Sequence, residues 1–185
     1  MKALRIHGHG GPEVLRVDDI AVPVPKPGEV QVKVLGASIN HLDLWVRRGM
    51  PGFPVVFPRV LGCDGTGEVT ALGAGVSGLR VGQKVVLEPG YSSGKSAEDQ
   101  AGLDHLAADY GIRGEHGDGF DAEYVTLEAR FVFPLPAGVD PVQGAAVPLV
   151  FVTAWGLLVT RANVQRDETV LVLGGGVGGV VTARE

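Results

Sequence analysis

Between positions 30 and 34, three valines alternate with Gln31 and Lys33. A period of two, with one apolar and one polar face, predicts a half-buried β-strand. Shorter apolar runs recur through the first 135 residues, and positions 2–7, 13–19, 65–72, 84–88, 120–127 and 131–135 each read as a strand. Glycine turns at 8–11 and 73–82 and a connector bearing Pro23, Pro25 and Pro27 separate them. Positions 40–48 break the pattern: Leu42 lies three residues before Trp45 and Leu44 four before Arg48. That spacing gives a short helix with one apolar face. Positions 90–119 are polar and rich in small residues, a stretch of about 30 residues that is long for a plain loop and is expected to be functional or to carry structure of its own.

The character changes at Asp140, a good N-cap followed by Pro141, which suits the first helical position. Positions 145–161 are apolar and helix-compatible, with Pro148 expected to break or kink the helix and Asn163 to close it. Positions 169–173 then read as a buried parallel-type strand. It runs into Gly174, Gly176 and Gly179, a G-x-G-x-x-G turn. Glycines there permit a tight turn, close approach of backbone to a pyrophosphate and close helix packing. The following helix start would offer free N–H groups to phosphate. The other reading is a plain glycine-rich strand–helix turn. A domain boundary is expected near residue 150, with 1–150 a mainly β unit and 151–185 the first strand and turn of an incomplete α/β nucleotide domain.

Composition narrows the function classes. Lys plus Arg is 16 against 21 for Asp plus Glu, a net charge of −5 that argues against a nucleic-acid partner. Glycine, at 29 of 185 residues, is about twice its usual 7% share, which suits many short strands joined by turns. The single cysteine, Cys63, forms no internal disulfide and fits a reducing cytoplasm. No apolar h-region opens the chain, and no unbroken apolar stretch is long enough to span a membrane.

Several short motifs occur in order along the chain: Gly11-Pro12-Glu13-Val14-Leu15, Gly28-Glu29-Val30, Asn40-x-x-Asp43, Gly62-Cys63-Asp64-Gly65-Thr66-Gly67, Gly82-x-x-Val85, Gly119-Phe120-x-Ala122-Glu123-Tyr124, Thr153-Ala154-Trp155 and the glycine turn. The ordered set resembles the medium-chain dehydrogenase/reductase superfamily of zinc alcohol dehydrogenases, quinone oxidoreductases and enoyl reductases. The resemblance implies a GroES-like β-domain, then a Rossmann domain, with the active-site cleft between them.

It also implies where metal ligands would stand. The positions that carry catalytic zinc ligands in the zinc enzymes read Asn40, Cys63 and Leu149 here. The four cysteine positions of the structural zinc lobe read Ser93, Ser96, Asp99 and Ala107. Zinc needs three or four Cys, His or carboxylate ligands. No metal is therefore expected, and Cys63 reads as a small packed residue. Leu42 stands where the zinc enzymes carry a hydroxyl proton relay, whereas Asn40 and Asp43 match the quinone oxidoreductase pattern. The resemblance implies that Asn40 faces the nicotinamide or a substrate carbonyl, where its amide can donate a hydrogen bond; the alternative is a helix cap. Asp43 would orient or support. His41 stands near the expected cofactor pyrophosphate, or is a surface histidine. Thr153 stands at the nicotinamide ring, or is an ordinary helix threonine. Gly174, Gly176 and Gly179 complete the cofactor set. His7, His9, His105 and His116 read as surface residues.

The expected activity is hydride transfer from NAD(P)H to a quinone, an enone or another carbonyl acceptor without zinc. The full-length form is expected to be a homo-dimer or tetramer, and this chain alone to be inactive, with exposed apolar surface. Two alternatives stand beside it: a non-catalytic, stand-alone GroES-like domain, and a zinc-dependent alcohol dehydrogenase with atypical ligands.

Overall fold

A computed structural model describes residues 1–173. In chain order the strands and helices are β1 (Lys2–Ile6), β2 (Leu15–Asp19), β3 (Glu29–Ser38), α1 (His41–Arg48), β4 (Arg59–Val60), β5 (Asp64–Leu72), β6 (Lys84–Leu87), β7 (Gly90–Tyr91), α2 (Ala97–Gln100), β8 (Gly111–Ile112), β9 (Tyr124–Glu128), β10 (Val132–Pro134), α3 (Pro141–Gly144) and α4 (Pro148–Trp155). An antiparallel sheet carries the main core in the order β10-β6-β5-β3-β9. A second sheet has the order β2-β1-β4, and β7 pairs with β8.

The valine alternation places β3 at the heart of the larger sheet. Val30 and Val32 are fully buried, and β3 pairs with β5 on one side and β9 on the other. They pack with Val69, Val85, Leu87 and Phe120 in one apolar cluster. A smaller cluster of Ile6, Val46 and Leu61 packs α1 under the second sheet. β3 runs past its alternating stretch to Ser38, and Gly36 explains how: a Cβ there would lie 2.9 Å from the Pro141 carbonyl. Its absence lets α3 settle on the sheet. Asp140 caps α3, its side chain accepting from the Val142 and Gln143 N–H groups.

The expected strands shift where the backbone finds other partners. Residues 12–14 form a 3-10 turn opened by Pro12, so β2 starts at Leu15. Positions 120–123 stay outside the main ladder and stitch the two sheets together instead. Phe120 N–H donates to the Gly62 carbonyl at 2.8 Å, and Leu4 N–H donates to the Asp121 carbonyl at 2.8 Å. A 3-10 turn over Ala129–Phe131 delays β10 to Val132. Pro148 starts α4 rather than kinking a helix already under way, because its missing N–H is tolerated only in the first turn. The stretch 90–119 carries β7, α2, a 3-10 turn over Asp104–Leu106, and β8.

Beyond α4 a π-helical turn covers Gly156–Arg161, and Asn163 takes a left-handed conformation, φ 49°. Positions 169–173 pair with no strand among the described residues, and Leu171 and Leu173 are exposed. A buried parallel strand requires neighbours on its edges, and the described residues supply none. The glycine turn at Gly174, Gly176 and Gly179 lies outside the described residues. The expected exposed apolar surface lies on and after α4, where Val152, Trp155 and Leu157 are more than half exposed.

The crossing of residues 119–121 under residues 61–62 is tight. A Cβ on Gly119 would run into the Leu61 and Gly62 carbonyls, which are backbone and cannot turn aside. Gly119→Ala is expected to cost about 2–3 kcal/mol of unfolding free energy in urea denaturation. Gly8→Ala, with open space around its Cβ, is expected to stay within about 0.5 kcal/mol of the parent.

Candidate functional site

The loop and strand start at 62–64 face the N-terminus of α1 and the first turn of α4. Asp64 is the first residue of β5 and is 1% exposed. Its Oδ2 accepts from Ser38 Oγ at 2.9 Å and Asn40 Nδ2 at 2.7 Å, and its Oδ1 accepts from the Leu149 N–H at 2.8 Å. One carboxylate thus ties β3, β5, α1 and α4 together. It also places a negative group at the N-terminus of α4, where free N–H groups point outward.

Asn40 holds the N-cap position of α1 in extended backbone, φ −109° and ψ 163°. Its Nδ2 carries two hydrogens. One is fixed on Asp64, and the other points toward Cys63 Sγ at 3.4 Å, a weak acceptor. Asp43 is buried in the first turn of α1. Its Oδ2 accepts the Asn40 backbone N–H at 2.7 Å and its Oδ1 accepts the Gly62 N–H at 3.2 Å. The Cys63 thiol lies 3.9 Å from Asp43 Oδ2. Its contacts make Asp64 the cap of α4 and the anchor of Asn40.

Burial raises the Asp43 carboxyl above its usual range, with the Asp64 charge adding to the shift. Asp64 is raised by burial, against the pull of its hydrogen bonds from Asn40, Leu149 and Ser38. Burial, then the charges of Asp43 and Asp64, pushes the Cys63 thiol far up, so it stays protonated and unreactive at neutral pH. The three positions that the resemblance aligns with catalytic zinc ligands do converge. However, Asn40 turns N–H groups inward and Leu149 supplies a backbone N–H, so of the three only Cys63 carries a side chain of a zinc-binding type, where zinc takes three or four such ligands. Among the described residues no three His, Cys, Asp or Glu side chains are arranged to hold a metal ion.

The remaining expected residues fall at different distances from this network. His41 is exposed and leans toward Trp45, with ring centroids 6.2 Å apart. Thr153 is exposed on α4, one turn beyond Leu149, and donates its hydroxyl to the Leu149 carbonyl at 2.9 Å. It lines a cavity of about 840 Å3 together with Glu88, Tyr110 and Trp155. In the 90–119 lobe two of the aligned cysteine positions, Ser96 and Asp99, bond each other, while the Ser93 N–H donates to Asp109 at 3.1 Å. Asp99 and Ser96 cap each other reciprocally at 2.9 and 3.0 Å, and Ser92 Oγ donates to Asp99 Oδ1 at 2.5 Å. These bonds, the Ser92 one first, hold the Asp99 carboxyl below its ordinary value.

Asp121 was not singled out by the sequence. It sits over Gly62, whose φ of +90° and missing Cβ make room for the carboxylate. Burial, then the charge of Asp43, raises Asp121 to about 6. An unfolded aspartate titrates near ~3.9, so between about pH 4 and 6 the folded chain holds a proton that the unfolded chain has lost. The stabilisation from this group is complete below the lower value and disappears as pH rises through the upper one. Asp121→Asn is therefore expected to match the parent at pH 4 and to exceed it at pH 8 by about 1–3 kcal/mol. Urea unfolding at the two pH values measures this, and an equal effect at both would refute it.

Comparison with known proteins agrees with this architecture. Residues 26–137 match the alcohol dehydrogenase GroES-like domain family. The quinone oxidoreductase of Pongo abelii is 32% identical over 96% of this chain, which covers 47% of that protein. The synaptic vesicle membrane protein VAT-1 homolog-like of Mus musculus is 32% identical over 98% of the chain, covering 37% of that protein. The crystal structure of an NAD-dependent alcohol dehydrogenase superposes with a TM-score of 0.92 at 44% identity, over 99% of this chain and 53% of that one. The chain thus spans about half the length of the relatives it matches. With a GroES-like β-domain, motifs in family order and these relatives, the chain belongs to the alcohol dehydrogenase-like, medium-chain dehydrogenase/reductase superfamily of oxidoreductases.

Proposed function

We propose that this chain is the substrate-facing part of an NAD(P)H-dependent reductase that delivers hydride to a quinone, an enone or another carbonyl acceptor without zinc. The observation that carries this reading is the Asn40 amide. One of its hydrogens is fixed on Asp64, while the other rests on a weak sulfur acceptor. A carbonyl oxygen gaining negative charge is a much better acceptor than sulfur and can take that second hydrogen. Asp64 then acts as a positioning residue, fixing the amide so that it need not reorganise during the reaction. Asp43 braces the same turn through the Asn40 and Gly62 N–H groups.

The nicotinamide supplies the hydride chemistry; the chain's residues orient, donate hydrogen bonds and exclude water. In this reading Thr153 lies along the nicotinamide, His41 approaches the pyrophosphate, and Gly174, Gly176 and Gly179 form the phosphate turn. The β-domain ends near residue 150 and the nucleotide domain begins there. The names of the relatives, a quinone oxidoreductase and an NAD-dependent alcohol dehydrogenase among them, support a nicotinamide cofactor and a small-molecule acceptor. The complete protein is read as a homo-dimer or tetramer, and a reducing cytoplasm suits the buried, unpaired Cys63. Among the described residues no helix is long and apolar enough to cross a membrane.

The test is NADPH or NADH oxidation, followed by absorbance, with 1,4-naphthoquinone and an aryl enone as acceptors and the complete gene product as enzyme. Turnover is expected to persist in a metal chelator, with far less than one zinc per chain by atomic emission. Asn40→Ala is expected to lower kcat about 10- to 100-fold with little change in cofactor KM. Stoichiometric zinc with chelator-sensitive alcohol oxidation would instead favour a zinc dehydrogenase, and no nucleotide binding at all would favour a non-catalytic domain.

A further inference from the structure

Away from this network, a second constellation has no role in the proposed reaction. Arg113 follows β8, and its guanidinium lies 5.0 Å from the Tyr91 ring centroid and 5.9 Å from that of Phe120. Its Nε is shut off from solvent with no hydrogen-bond partner, and among the described residues the side chain forms no ion pair. Arginine stays charged in proteins and offers five donors in a planar fork; here the Nε–H is buried without an acceptor while the side chain as a whole is half-buried. Burial weakens its hold on the proton, opposed by the more distant charges of Tyr91, Glu128 and Glu29, none of which pairs with it directly.

Arg5, Arg47 and Arg59 share the unpartnered Nε, but their charges are placed differently. Arg5 pairs with Asp18 at 3.2 Å and Arg59 with Asp118 at 3.6 Å. Arg47 lies in the last turn of α1, where the helix dipole favours a cation, and its charge acts on Glu13. Arg113 instead lines a pocket of about 220 Å3, walled by Ile20, Pro23, Phe120, Tyr124 and Val125. That is smaller than the roughly 300–1,000 Å3 of sites for drug-sized ligands. Asp118 also borders the pocket, but its Oδ1 already accepts from the Val60 N–H at 3.0 Å and faces Arg59.

We infer that Arg113 anchors a binding site for a small aliphatic carboxylate, its fork taking the two oxygens and the aromatic and aliphatic walls taking a short tail. The fork geometry matches a carboxylate's paired oxygens, and cation–aromatic stacking holds the guanidinium plane in place. The apolar walls favour a ligand with a few carbons over a bare inorganic anion.

Sodium propionate is the probe, with sodium chloride at equal ionic strength, 1-propanol and sodium phosphate as comparisons, and thermal unfolding of the full chain as the readout. Propionate is expected to raise Tm saturably, with Kd of about 1 mM and a rise of about 5 °C at a hundredfold excess, while the three comparisons leave it within about 1 °C. Arg113→Met is expected to abolish the shift without lowering the ligand-free Tm, since it removes a half-buried charge that forms no ion pair. Arg113→Lys keeps the charge but loses the fork, and is expected to weaken binding about tenfold. An equal propionate shift in parent and Arg113→Met, a phosphate shift as large as that of propionate, or no shift in the parent would overturn the assignment. If Arg113→Met does not fold, the comparison of propionate, propanol and phosphate on the parent and on Arg113→Lys decides it.

Discussion

The arrangement of residues 38–43, 62–64 and 149 depends on one buried carboxylate. Asp64 is almost wholly removed from water, and it accepts from a serine hydroxyl, an asparagine amide and a backbone N–H on three different elements. Stripping a charge of water is costly, and only well-placed donors offset that cost. Any one donor could be met by a local turn. Three donors separated by 26, 24 and 85 residues along the chain can meet only if β3, α1 and α4 are packed against β5 in one way. The network is therefore a statement about tertiary structure, and it is enforced by the penalty for leaving it incomplete.

That dependence explains which parts of the chain were legible in its sequence. The alternation at 30–34, the helical spacing at 40–48 and the Asp140-Pro141 start are local signals, and β3, α1 and α3 follow from them. The errors occur where long-range partners decide. Residues 120–123 look like strand because Phe120 and Ala122 alternate with polar neighbours. Their backbone groups instead bond across to residues 2, 4, 61 and 62 and reach the main sheet only at Val34, and no local pattern records that exchange. Positions 90–119 looked featureless because two-residue strands and a four-residue helix are too short to show a period.

The site was legible in part for the same reason. Asn40 and Asp43 stood out by spacing, and the structure brings both against the 62–64 segment. His41 stays outside that contact, and Thr153 joins it only through the α4 turn that Leu149 begins. Asp64 was legible only as part of the Gly62-Cys63-Asp64-Gly65 motif, and Asp121 was hidden. What marks Asp121 is Gly62, whose missing Cβ leaves room for its carboxylate.

The two places where the superfamily resemblance implies zinc are held here by carboxylates that gather hydrogen bonds, but the energetics of the two differ. Around Asp99 the bonds are short and local, made by Ser92 and Ser96 within seven residues, and the capped helix is on the surface. Water competes there at nearly equal strength, so such a network fixes a shape while adding little stability. Around Asp64 water is absent and the partners are remote in sequence. The first turn of α4 is thereby fixed to β5, although the outer faces of the helix, with Phe151, Val152 and Trp155, remain in solvent. A helix apolar on all sides has no preferred orientation from its hydrophobic pattern alone. Its first turn is fixed by the hydrogen bond from Leu149 to Asp64, and the same carboxylate sets the orientation of the Asn40 amide.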